Sequence, residues 1–265
     1  MAAELTITMA DPSLEAAVAQ GMAQVEARLG QAVASKEPWV EAASAHLLRA
    51  GGKRLRPLLT LLASHLGAGV NPRVVDAAAV VELTHLASLY HDDVMDAAPL
   101  RRGLPSAHEV YGPTVAILTG DLLFAKASQI VAGLGADIVR RQAETFERLC
   151  LGQIHETTGP SPDEDPVEFH LGVLAEKTGA LIATSARFGA TLGGAPAPAV
   201  EAVTSFAAAV GVAFQLADDI IDLTSPAAVT GKTPGTDLRE GVPTMPQLLV
   251  QTAAARDRAE GRADA

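Results

Sequence analysis

The sequence predicts an all-α fold, and three observations carry the prediction. Apolar residues recur at helical spacing through most of the 265 residues. The breaks between periodic stretches fall at Gly/Pro clusters rather than at strand-like turns. Val and Ile sit mostly among Ala and Leu, in a chain that is 48% hydrophobic but only 3% aromatic, a composition that favours helices. Helices are expected over 12–34, 39–67, 72–97, 113–133, 136–158, 166–192, 198–224 and 246–258. Asn71-Pro72 marks a helix start, since Asn caps and Pro fits the first helical position. Gly67 and Gly69 stop the helix before it. The run from Gly159 to Pro166 reads as a loop, because its prolines cannot sit inside a helix. No linker is long or polar enough to divide the chain, so 1–265 is expected to be a single domain.

A net charge of −11 argues against a nucleic-acid partner, which demands surplus Lys and Arg. It leaves room for a small polyanionic substrate, because local cations and bound metal reverse the local field. The lone cysteine, Cys150, cannot form an internal disulfide and is expected in the core. No basic-then-apolar leader opens the chain, and Gly, Thr, His or charged residues interrupt every apolar run. The expectation is a cytoplasmic chain without a transmembrane segment.

One five-residue pattern occurs twice: Asp92-Asp93-Val94-Met95-Asp96 and Asp218-Asp219-Ile220-Ile221-Asp222. Each closes a long apolar helix. Residues i and i+4 share a helix face, so Asp92/Asp96 and Asp218/Asp222 each form a two-carboxylate claw. A merely solvated helix end explains this poorly, because acidic groups there oppose the macrodipole and repel one another. Two copies call for a cation, and hard carboxylate oxygens suit Mg²⁺. A di-iron bundle needs Glu-x-x-His on two helices. Glu82-x-x-His85 is the single copy, which excludes that reading.

The cations lie close by in sequence. Gly51-Gly52-Lys53-Arg54-Leu55-Arg56-Pro57 places three within four residues, after glycines that let backbone N–H groups approach phosphate. Arg101-Arg102-Gly103 begins five residues past Asp96, and Arg suits bidentate phosphate recognition. Either run alone could be an exposed solubility patch. His85 lies two turns below Asp92 on the same face, where a satisfied core histidine is the competing reading.

Together these residues resemble the trans-isoprenyl diphosphate synthase (polyprenyl synthetase) family. The likeness runs in order from Ser44 to Gln247. Besides the segments above it takes in Gly-Asp-Leu-Leu-Phe at 120–124, Glu-Lys-Thr at 176–178, Phe-Gln-Leu-Ala before Asp218, Gly231-Lys232 and Gly235-Thr236-Asp237-Leu238-Arg239-Glu240-Gly241. The resemblance implies an antiparallel helical barrel around a deep central cavity, as a homodimer, condensing isopentenyl diphosphate with an allylic prenyl diphosphate. It implies three Mg²⁺ ions, held by Asp92, Asp96 and Asp218, with Asp93, Asp219 and Asp222 in support. Arg101, Lys177 and Lys232 would hold the allylic diphosphate, with Thr178 and Gln215 at the reacting centre. Gly52, Lys53, Arg56, His85 and Arg102 would bind isopentenyl diphosphate. In the family an aromatic floor stops growth four or five residues before the first carboxylate. Here Ala87 and Ser88 stand there, which implies a product of C20 or longer.

The family normally continues with further helices past Gly241, so the domain is expected to be short at its C-terminal end, with a polar tail after a helix near Pro246. Two other readings compete. A terpene cyclase would replace the second Asp motif and lack the basic loop. A non-catalytic partner of a heteromeric synthase would have lost carboxylates that are intact here.

Overall fold

The computed structural model describes residues 10–224 and 243–259. The chain is all-α, apart from one two-residue hairpin among the described residues. It forms two compact units, Met1–Phe146 with Leu181–Ala207, and Glu147–Ala180 with Ala208–Ala265.

The first unit contains α1 (Pro12–Val33), α2 (Pro38–Ser44), α3 (His46–Arg49), α4 (Leu55–Ser64) and α5 (Pro72–Met95). After α5 come the strands β1 (Leu100–Arg101) and β2 (Leu104–Pro105), then α6 (Ala107–Tyr111) and α7 (Pro113–Val131). The unit also takes the first half of α8 (Ala136–Thr158), nearly all of α10 (Ala180–Leu192) and the start of α11 (Ala197–Thr224). Polar caps start these long helices, at Asn71 as the sequence predicts. Asn71 accepts from the N–H groups of Arg73 and Val74 ahead of Pro72, and Asp11 does the same for Ser13 and Leu14. α5 is apolar nearly all round and is buried along most of its length, which is what an enclosed helix requires. Its Tyr90 is fully buried, and the hydroxyl donates to the Ala43 carbonyl and accepts from Leu47 N–H. That hydroxyl closes the backbone where α2 gives way to α3.

Small residues let α4 and α10 approach closely. Ala63 packs with Ile182, Ala186 and Ala190, and with Val200 and Ala207 of α11. A Cβ on Gly189 would overlap the Thr60 carbonyl oxygen, and one on Gly193 would overlap that of Ser64.

The second unit holds the rest of α8, α9 (Pro166–Leu174), a π-helical turn at Ala175–Gly179, the end of α11, and a last helix, Met245–Ala259. Asp165 caps α9 ahead of Pro166, accepting from Val167 and Glu168 N–H.

Four expectations need correction. The helix expected over 39–67 is broken at 50–54, because Gly51 (φ 83°), Gly52 (φ 134°) and Arg54 (φ 49°) take positive φ, which no helix admits. The π turn interrupts the one expected over 166–192. Cys150 is exposed, since it lies on the outward face of α8 with Val139, Phe146 and Ile154. Pro113–Leu134 and Ala197–Ile221 are long and apolar enough to cross a membrane by length and composition, with mean hydropathies of 1.4 and 1.6. That overturns only the expectation that no apolar run approaches such a length and hydropathy, since a core helix passes the same test.

Replacing Gly189 by Ala should force α4 and α10 apart and cost about 1–3 kcal/mol. Thermal unfolding should show this as a Tm several degrees lower; an unchanged Tm would show that the contact relaxes freely.

Candidate active site

In the first unit the Asp-rich motif ends α5. Asp92 is half-buried and Asp96, the C-cap residue, is exposed, so the i and i+4 carboxylates sit at the open end of the helix. Asp93 points the other way and is fully buried. Its Oδ1 accepts from Nε of Arg101 at 2.6 Å and forms an ion pair with Nη2 at 2.6 Å. Burial raises the Asp93 carboxyl above its ordinary pKa, and the Arg101 pairing opposes that rise.

The hairpin delivers this arginine. Its turn residues Arg102 (φ 55°) and Gly103 (φ 78°) are both left-handed, the geometry that two-residue hairpins need. The tight reversal sends Arg101 back to α5 and Arg102 across the broken segment after α3. There the Arg102 Nη1 donates to the carbonyls of Leu47 and Gly51. The guanidinium lies so close to Gly52 that a Cβ there would stand 2.7 Å from its central carbon. Gly52 is required by its positive φ, and a Cβ there would also displace the Arg102 guanidinium. Sequence reasoning foresaw close approach at Gly52; the approaching group in this structure is Arg102.

Arg56 enters the same region from the first turn of α4. Its buried Nε has no hydrogen-bond partner, a costly condition that an anionic ligand would relieve. Burial lowers its pKa, the Glu82 carboxylate counters that effect, and Arg102 adds to it. Half-buried His85 is pushed well below the ordinary imidazole range, first by burial and then by Arg56, Arg102, Arg101 and Arg54. At neutral pH it is an uncharged ring with one N–H to donate. Lys53 is exposed beside them. The structure thus brings His85, Arg56, Arg101 and Arg102 into one cationic cluster. Arg54 and Glu82 belong to it as well; the sequence offered Arg54 only as one cation of the basic run and assigned Glu82 no role. A Glu in the apolar stretch Val80-Val81-Glu82-Leu83 was the available signal, since a buried carboxylate requires a partner.

Ala87 is fully buried and Ser88 half-buried. Gly120 of α7 packs on this stretch, with a Cβ there falling 3.1 Å from the Ala87 carbonyl oxygen.

In the second unit the π turn carries Glu176, Lys177 and Thr178. Such turns often mark functional positions. Gly152 admits it, because a Cβ there would lie 2.8 Å from the Lys177 nitrogen. Lys177 donates to Glu156, Glu176 pairs with His155 at 2.8 Å, and Thr178 donates to Gln215 at 3.3 Å. Asp218 is exposed on α11. Asp219 is buried, accepting from Met245 N–H at 3.0 Å and lying 3.4 Å from His170 Nε2. Nothing in the sequence marked Glu156, His155 or His170. The Asp222 side chain, Lys232, and the Gly231-Lys232 and 235–241 motifs lie outside the described residues. Among the described residues no cluster of three or more His, Cys, Asp or Glu converges on one point.

The polyprenyl synthetase family profile matches residues 37–262. A nonaprenyl diphosphate synthase of Mycobacterium tuberculosis is 45% identical over 258 residues, covering 97% of this chain and 77% of that protein. A protein of Geobacillus stearothermophilus named heptaprenyl diphosphate synthase component 2 is 40% identical, covering 86% of this chain and 71% of that protein. Among solved structures, a geranylgeranyl pyrophosphate synthase of Corynebacterium glutamicum, complexed with calcium and isoprenyl diphosphate, superposes with a TM-score of 0.83 at 46% identity. That alignment covers 93% of this chain and 75% of the other. The all-α fold is shared.

His85 titrates lower in the folded chain than its ordinary 6.5. The unfolded chain therefore binds the proton first, and stability present above pH 6.5 is lost as pH falls below it. Unfolding followed from pH 7 to about 5 should show a smaller acid loss in His85→Gln than in the parent. Equal slopes would remove His85 as the cause.

Proposed function

The chain belongs to the polyprenyl synthetase family, and on that footing we propose that it is a prenyltransferase. It condenses isopentenyl diphosphate with an allylic prenyl diphosphate to give a product of C20 or longer. The observation that carries this reading is the half-buried cationic cluster of Arg56, Arg101, Arg102 and neutral His85, with an unpartnered donor on Arg56. Its chemistry calls for a compact polyanion, and carboxylates suited to a divalent cation lie at the end of the same helix.

The donor set fits Mg²⁺. Asp96 and Asp218 are exposed carboxylates and Asp92 a half-buried one, and carboxylate oxygens are hard ligands of the kind Mg²⁺ takes. We assign Asp92, Asp96 and Asp218 as ligands for three ions, with Asp93, Asp219 and Asp222 in support. Bound magnesium supplies charge neutralisation for the departing diphosphate. Lys53, Arg56, His85 and Arg102 hold isopentenyl diphosphate, with His85 donating one hydrogen bond. Lys177 leaves Glu156 for the allylic diphosphate, joined by Arg101 and Lys232. Thr178 and Gln215, already bonded to each other, border the reacting carbon.

The allylic C–O bond breaks with its electron pair going to diphosphate, leaving a resonance-stabilised cation. The isopentenyl double bond attacks that carbon, and the released diphosphate accepts the proton lost from the adduct. Side chains contribute placement, fixed positive charge and exclusion of water. Small Ala87 and Ser88 leave room for chain growth.

The enzyme acts in the cytoplasm as a homodimer. Val139, Phe146, Leu151 and Ile154 expose apolar surface on α8, and surface of this kind marks association sites. Phe146→Glu should convert the dimer to monomer in sedimentation; an unaltered dimer would place the interface elsewhere.

The functional test incubates the protein with Mg²⁺, isopentenyl diphosphate and each of dimethylallyl, geranyl and farnesyl diphosphate, and sizes the products. Products of C20 or more are expected, with Asp92→Ala and Asp218→Ala each lowering kcat by about a hundredfold or more. Turnover only on adding a second protein would indicate a heteromeric synthase, as "component 2" in one relative's name suggests for that protein. A cyclic hydrocarbon formed without isopentenyl consumption would sink the reading.

A further inference from the structure

Arg54 stands between two residues assigned to substrate, Lys53 and Arg56, yet its own guanidinium has nothing left to offer a phosphate. Nε donates to Glu26 at 2.6 Å. Nη1 donates to the Gly51 carbonyl at 3.1 Å and to Glu82 at 3.0 Å, and Nη2 to the Leu48 carbonyl at 3.1 Å and to Glu26 at 3.5 Å. Those contacts occupy all five N–H groups that a guanidinium carries. The side chain is 8% exposed, Glu82 is 2% exposed, and Glu26 is the partner open to solvent at 46%.

Three features make this arrangement more than a core ion pair. Arg54 is the N-cap of α4 in the left-handed conformation, which a non-glycine residue holds only when its surroundings impose it. The Gly51 carbonyl that it binds also receives Arg102. Glu82 is the carboxylate whose charge acts on Arg56 and on Arg102, and it lies one turn from His85 on α5.

We propose that Arg54, clamped by Glu82 and Glu26, is the positioning residue of the isopentenyl diphosphate subsite. It holds the left-handed turn that presents Lys53, Arg56 and Arg102, and Glu82 supplies the counter-charge that lets these cations stay together before substrate arrives. The inference rests on the prenyltransferase reading. It adds that binding of the homoallylic substrate, rather than the allylic one, depends on residues that touch neither.

The test compares the parent protein with Arg54→Lys, Glu82→Gln, Glu26→Gln and the Arg54→Lys/Glu26→Gln double variant. Steady-state kinetics varies each substrate separately, calorimetry titrates isopentenyl diphosphate alone, and Tm is recorded. Arg54→Lys keeps the charge but loses the fork. It should raise KM and Kd for isopentenyl diphosphate about tenfold, the loss expected for hydrogen bonds to charged groups. The allylic KM and kcat should stay within about twofold, as for sites away from the change. Glu26→Gln, on the solvent side, should give the same pattern more weakly, and the double variant no more than Arg54→Lys alone. A lower Tm with unchanged isopentenyl constants would overturn the proposal, as would equal loss for both substrates. If Arg54→Lys or Glu82→Gln does not fold, Glu26→Gln decides, and an unchanged Kd there overturns it. Parent protein that binds isopentenyl diphosphate without turnover, with weaker binding in the variants, would uphold this inference while the catalytic reading fails. Parent protein that does not bind it overturns both.

Discussion

Four arginines drawn around one histidine set the terms for the first unit. Like charges at this spacing repel strongly when water is partly excluded, and desolvation adds to the cost. The structure meets that cost unevenly. Arg54 is fully paired and Arg101 is held by Asp93, while Arg102 rests on backbone carbonyls and Arg56 keeps a buried donor without a partner. On the proposed reading the uneven pairing serves binding: paired arginines fix geometry, and the under-satisfied ones retain a potential that would attract a polyanion.

The same division runs through the two Asp-rich motifs. On a helix the residue after the first carboxylate is turned about 100° from it. Asp93 and Asp219 therefore face inward, where Arg101 in one unit and the Met245 amide in the other hold them. Asp92 and Asp96 stay at the open end of α5, against its macrodipole, and Asp218 is exposed on α11. Each motif thus joins a buried, anchoring acid to more exposed ones, and it is the latter that the proposed reading gives to Mg²⁺.

Backbone irregularities lie where chemistry is expected. Positive φ at Gly51, Gly52 and Arg54 breaks one helix to present cations, the left-handed turn at Arg102-Gly103 sends two arginines in opposite directions, and the π turn at Ala175–Gly179 carries Lys177 and Thr178. Glycines without room for a Cβ, Gly52 and Gly152, stand against two of these features. Substitutions there would act on the site through geometry rather than through charge.

Much of this was legible in the residues themselves. Helical periodicity, the Asn71-Pro72 start and the paired D-D-x-x-D motifs are local signals, because capping, φ preference and i,i+4 spacing act within a few residues. Family membership followed from the order of the motifs. What the sequence left undetermined depends on partners far along the chain. Arg54 reads as one more phosphate-binding cation until Glu26 and Glu82, each 28 residues away, are seen to consume its donors. Nothing in the sequence pairs Arg101 with Asp93, eight residues earlier, until the hairpin folds the one back onto the other. Cys150 reads as core until α8 turns that face outward. Charge and hydrogen-bonding capacity are properties of a residue, but their availability is settled by whatever the tertiary fold places within about 3 Å.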